Sequence, residues 1–182
     1  LIVHATGLWE AKDALRAGAD LLVHGVTDRP VDDEFLALAR ERHAIYTPTL
    51  TVFDGYRQVR VRHFEPHYPL DCVDSATVTR ARMTDLMPPA PGAPADYVER
   101  QTQLAATRLS QGQANLLAVF RAGITVAMGT DAGNPLTLHG PSVYWEMEAM
   151  QQAGLLPADV LIAATRNGAR AMNRERDLGT VE

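Results

Sequence analysis

FRAGITVAMGTD, Phe120 to Asp131, decides how this chain is read, because its pattern occurs twice. LRAGADLLVHGV, Leu15 to Val26, shares with it an apolar residue, Arg-Ala-Gly, a short apolar run and a polar end. The glycine of each, Gly18 or Gly123, stands where a helix ends in a left-handed residue. The run that follows is apolar on both faces, as a buried parallel strand is. ARERHAIYTPTL, Ala39 to Leu50, keeps the rhythm without the glycine.

A helix is expected before each run: Trp9 to Ala17, Asp33 to Arg42, and a long one from Asp96 to Arg121. Asp96, followed by Glu99, is the expected N-cap of the last. Leu109, Leu116, Leu117 and Phe120 line one of its faces. Strands are expected near Leu1–Val3, Leu21–Val23, Ile45–Leu50 and Ile124–Met128, with further helices over His139–Ala153 and Pro157–Met172. Alternating helices and strands imply β/α units around a parallel sheet. Between the third and fourth strands, MPPAPGAP (Met87 to Pro94) is too rich in proline for regular structure. It reads as a break in an inserted excursion over residues 53–96, either a lid or a solvated loop without consequence.

The chain has 182 residues, 46% of them hydrophobic and 21% charged, as expected for a globular domain with its own core. A net charge of −5 disfavours nucleic-acid and acidic-membrane surfaces. Cys72 is the single cysteine, so no internal disulfide forms, and no apolar run approaches the roughly 20 residues that span a bilayer. Serine-hydrolase elbow, Walker A and dinucleotide fingerprints are absent. The chain begins inside an apolar run at Leu1 and closes on DLGTVE, a turn entering what reads as another strand. Residues 1–182 are therefore expected to be a piece of a longer chain. The compartment stays open, with the cytoplasm favoured.

In parallel β/α sheets, functional groups gather at the carboxyl ends of strands. Those ends carry His4, His24, Thr47 to Thr51, and Asp131. Two imidazoles and a carboxylate from separate strands suit zinc or a similar divalent ion, whose charge would stabilise ionised Asp131. Each residue also has a plainer reading. His4 and His24 could be hydrogen-bonded core residues, and Asp131 a helix cap or turn residue before Gly133-Asn134-Pro135. His139 either touches substrate or caps the following helix. His43, His63 and His67 read as solvated.

VHATG (Val3 to Gly7), LLVHGV (Leu21 to Val26) and GTDAGNPLTLHG (Gly129 to Gly140) closely resemble the amidohydrolase superfamily, in the group of imidazolonepropionase and metal-dependent Xaa-Pro dipeptidases. The tail from Leu155 to Glu182 is similar to that group's approach to its C-terminal β-domain. The resemblance implies a distorted (β/α)8 TIM-type barrel of which this chain supplies strands five to eight with their helices. It further implies that the strand-one His-x-His pair and the strand-four lysine or carboxylate lie before Leu1. His4 and Asp131 then match metal ligands. His24 matches either the ligand of a second ion or a group polarising the substrate carbonyl, and Asp131 also handles the proton. The implied activity is metal-assisted hydrolysis of a C–N bond in an amide, cyclic amide or dipeptide, with one or two ions, zinc first among them. The expected partners are a small-molecule substrate, the N-terminal half of the barrel and another copy of the chain. The alternatives are an inactive half-barrel serving as a structural or interaction piece, and a phosphotriester or lactone hydrolase of the same superfamily.

Overall fold

The computed structural model describes residues 1–180; Val181 and Glu182, in the expected final strand, lie outside them. Four strands, β1 (Ile2–His4), β2 (Leu21–Val23), β3 (Ile45–Thr47) and β4 (Thr125–Val126), form a wholly parallel sheet in chain order. Helices α1 (Leu8–Arg16), α2 (Asp33–Glu41) and α5 (Tyr97–Arg121) lead into the second, third and fourth strands. α3 (Val52–Val61) and α4 (Ser75–Arg82) lie between β3 and α5, and α6 (Pro141–Gln152), α7 (Pro157–Ala164) and α8 (Arg166–Ala171) follow β4. Among the described residues no helix is long and apolar enough to cross a membrane.

The repeated unit folds as its residues dictate. Gly18 (φ 97°) and Gly123 (φ 76°) turn the chain from helix to strand in the left-handed region. His43 (φ 51°) performs the same turn in the third unit, so a histidine stands where the others use glycine. The register aligns Val3, Leu22, Tyr46 and Val126 across the sheet. This row packs into the main core with Leu15, Phe35, Leu116, Val119 and Met150. Burying each such large side chain contributes about 1.5–3 kcal/mol. Leu21, Ile45 and Ala127, which do not belong to that row, form a second, small cluster with Val23 and Ala171.

Polar contacts fix α1 against α2. Asp32 caps α2 by accepting from the Phe35 N–H at 2.9 Å, and it receives the buried Lys12 ammonium at 2.5 Å. Lys12 also reaches Glu34 at 2.8 Å.

Several boundaries differ from expectation, each for a local reason. β3 stops at Thr47 rather than Leu50, because Pro48 brings no N–H and Thr49 has φ 45°. β4 pairs over two residues only. The helix expected from His139 begins at Pro141, after Gly140 at φ 94°. The helix expected to run to Met172 breaks at Thr165 (φ −118°, ψ −82°), whose hydroxyl donates back to the Leu161 carbonyl. Asp96 precedes α5 without capping it, since its carboxylate instead accepts from Arg100 at 2.7 Å. The excursion holds α3 and α4, while Met87–Pro94 is irregular and exposed.

Candidate active site at the strand exits

His4 ends β1, and His24 follows β2 directly. Because β1 and β2 pair in register, His4 lies opposite Val23 and the two imidazoles meet edge to face, with ring centroids 4.5 Å apart. Asp131 arrives from β4 through Ala127–Thr130, and its Oδ2 lies 3.9 Å from His24 Nδ1. The three expected residues therefore come together on one rim of the sheet.

Both inner residues adopt a left-handed backbone, His24 at φ 75° and Asp131 at φ 57°. That conformation costs a β-branched residue heavily, while Asp, Asn and His tolerate it. The His24 ring is held on several sides. Thr49 Oγ1 lies 2.8 Å from its Nδ1. The backbone that follows is tied to β3 and its exit, with Gly25 N–H donating to the Pro48 carbonyl and Val26 N–H to Tyr46 Oη. Burial lowers the pKa of His24; Asp131 opposes that shift and His4 reinforces it. The neutral imidazole so favoured is the form that accepts a metal or a hydrogen bond.

Asp131 differs. Among the described residues no hydrogen bond reaches its carboxylate, and the turn it occupies is built from other atoms. Thr130 Oγ1 accepts from the Ala132 N–H, and the Asp131 carbonyl accepts from the backbone and side-chain N–H groups of Asn134. The side chain is neither a helix cap nor the acceptor of an Asx-turn. Tyr56 Oη donates to Asn134 Oδ1 at 2.5 Å, joining this turn to α3. At Gly55 a Cβ would stand 2.3 Å from the Pro135 carbonyl oxygen, so the α3 backbone itself lies against the turn.

The donor types of His4, His24 and Asp131 suit a divalent ion, and the lowered pKa of His24 keeps one of them in its ligand form. Among the described residues, however, no group of three His, Cys, Asp or Glu side chains closes on a point that would hold one. The chemistry fits, and enclosure is incomplete.

His139 is exposed and lines a cavity of about 320 Å³ with Thr77, Arg80 and Gly133. It does not cap α6, whose N-cap residue is Gly140. His43 and His63 are exposed as expected. His67 is not simply solvated, because it stacks on Trp145 with centroids 3.9 Å apart and contacts Asp54 at 3.2 Å.

Glu146 escaped the sequence reading. It is wholly buried on α6, where its carboxyl accepts from Leu50 N–H at 2.7 Å, Thr51 N–H at 3.0 Å and Thr51 Oγ1 at 2.9 Å. Burial raises its pKa to about 7 against the opposing effect of these donors. One signal was available: an acid on the helix stripe shared by Ser142, Ala149 and Met150, all buried.

A parallel sheet with titratable groups at its strand exits defines an α/β protein whose chemistry sits on one rim. The amidohydrolase family model matches residues 3–182, and the chain belongs to that family. Its fold is similar to that of a Xaa-Pro dipeptidase solved with methionine in the active site, at a TM-score of 0.63 and 21% identity, over 100% of this chain and 36% of that one. A prolidase complexed with N-methylphosphonate-L-proline gives 0.61 and 19%, over 100% and 35%. The ochratoxinase of A. niger gives 0.57 and 19%, over 98% and 30%. The chain thus spans about a third of the length of these structures. Comparison with the curated proteins finds no match.

Proposed function

We propose that the chain forms strands five to eight of a (β/α)8 metal-dependent hydrolase that cleaves a C–N bond in an amide, cyclic amide or dipeptide. The observation that carries this reading is the meeting of His4, His24 and Asp131 at three strand exits. Family membership supports it, as do a dipeptidase and a prolidase among the structures of similar fold. His4 and Asp131 would hold a divalent ion, zinc first, with the strand-one and strand-four ligands supplied by the N-terminal half of the barrel. His24 would bind a second ion or orient the substrate carbonyl.

When bound, such an ion acidifies a water from a pKa of about 16 toward about 7. Asp131 accepts the proton at its carboxylate and returns it to the leaving nitrogen. A carboxylate without hydrogen bonds of its own is free for both steps. Thr49 engages the Nδ1 of His24, so Nε2 would be the nitrogen that binds an ion or orients the carbonyl. His139 and Arg80, which line one cavity beside the Asp131 turn, would contact the substrate.

A second reading, a half-barrel that carries the fold as a structural or interaction piece, is favoured by the incomplete enclosure of an ion. Metal analysis of the full-length protein, alongside hydrolysis of dipeptides, cyclic amides, lactones and phosphotriesters, separates them. The enzyme reading expects bound divalent metal and amide turnover lost on chelation, with His4→Ala lowering both metal content and rate. Undiminished turnover after complete metal removal defeats metal dependence. A preference for lactones or phosphotriesters defeats C–N specificity, and no turnover of any substrate by the metal-loaded protein leaves the structural piece.

A further inference from the structure

The carboxyl group of Glu146 lies in the interface between α6 and the loop leaving β3, with 0% of the residue exposed. No cation pairs with it among the described residues. Such burial is costly, and a methionine would fill the same space without that cost. What the carboxyl group adds is acceptors, which bind two consecutive backbone N–H groups, Leu50 and Thr51, and the Thr51 hydroxyl.

The residue just before this clamp is Thr49, which is 3% exposed and has φ 45°. A β-branched residue holds that conformation only where its surroundings over-determine it. The clamp on the next two residues does so from the C-terminal side. On the N-terminal side, the Pro48 carbonyl is engaged by Gly25 N–H at 2.8 Å. Held this way, the Thr49 hydroxyl reaches His24 Nδ1 at 2.8 Å.

We propose that Glu146 and Thr49 are positioning residues for His24: Glu146 clamps Leu50 and Thr51, the clamp keeps Thr49 left-handed, and the Thr49 hydroxyl fixes the orientation and tautomer of the ring through Nδ1. The hydrogen bond on one imidazole nitrogen decides how the other is presented. Because Glu146 lies on the helix that follows the Asp131 turn, the clamp also ties the exit of β3 to the segment that follows β4. The proposal rests on the reading that His24 works in the site.

The test uses the full-length protein and two readouts, the ring nitrogen resonances of His24 in the metal-free state and zinc affinity. Thr49→Val keeps the branched shape and deletes the hydroxyl. It is expected to move the His24 resonances and to weaken zinc by about 10-fold or more, while Thr49→Ser restores both. Glu146→Gln, which places an amide donor against donors, is expected to move the same resonances in a folded protein. Thr51→Val removes one donor into the carboxyl group and is expected to move them less. Unchanged His24 resonances in Thr49→Val overturn the proposal, as do unchanged resonances in both Glu146→Gln and Thr51→Val. If Glu146→Gln does not fold, Thr51→Val alone decides. Should the resonances move as expected in a protein that hydrolyses nothing, the positioning stands and the hydrolase reading falls.

Discussion

His24 and Asp131 leave their strands through the same left-handed backbone, yet the fold surrounds them differently. The His24 side chain is 12% exposed and bonded to Thr49, whereas that of Asp131 is 34% exposed and comes no nearer to His24 than 3.9 Å. The equivalent exits of a repeated unit thus produce one residue that is held and one that is spare. A ring that must present a chosen nitrogen needs the first treatment. A carboxylate that takes up and returns a proton needs the second, since each hydrogen bond to it would have to be broken in the cycle.

The largest effect that probes this contrast comes from Asp131→Asn in the full-length protein. Asparagine accepts φ 57° as readily as aspartate. Hydrolysis is expected to fall by about 100-fold or more, because the amide takes no proton. Stability should stay within about 0.5 kcal/mol in a denaturant melt, the range of surface substitutions. A loss of several kcal/mol would show that the carboxylate is held after all.

A smaller effect follows from Glu146, which clamps the β3 exit beside Thr49. Its folded pKa, about 7, lies above the ordinary value of 4.5. The fold therefore favours the protonated form, and its contribution is complete below the unfolded pKa. Stability is expected to decline as pH rises from about 4.5 to about 7 and to level off above, by at most about 3.5 kcal/mol at about 1.4 kcal/mol per unit. Denaturant melts across this range should show a flatter profile in Glu146→Gln than in the parent. An equal slope in both would assign the pH dependence to other groups.

The smallest effect carries the same contrast to helix starts. Asp32 is held, capping α2 and pairing with Lys12, while Asp96 binds only the exposed Arg100. Asp32→Ala is expected to cost about 1–2 kcal/mol and Asp96→Ala less than about 0.5. Similar losses from the two, measured by thermal melts, would erase the distinction.

Residues that act through near neighbours in sequence were legible. Gly18 and Gly123 end their helices as the repeat implies, and the apolar runs after them pair as parallel strands because both faces are covered. The proximity of His4, His24 and Asp131 was legible because strand exits of a parallel sheet share one rim. Contacts between distant segments were not legible. The clamp joins Glu146 to Leu50 across 96 positions, and no local pattern announces it. His67 was read as solvated for the same reason, since Trp145 lies far along the chain. Asp96 misled through competition, as Arg100 one turn on offered its carboxylate a charged partner in place of the helix N–H groups.

The contact at Gly55 divides the excursion into two regimes of tolerance. The α3 backbone touches the Pro135 carbonyl with no side chain between them, so any substitution at position 55 displaces the turn that carries Asp131. Met87–Pro94, in the same excursion, lies exposed and outside any helix. Insertions and deletions in that stretch are expected to leave the rim unaltered, whereas a single methyl group at position 55 reaches it. For diversification or engineering, the excursion offers an exposed outer arc and a closely packed inner turn.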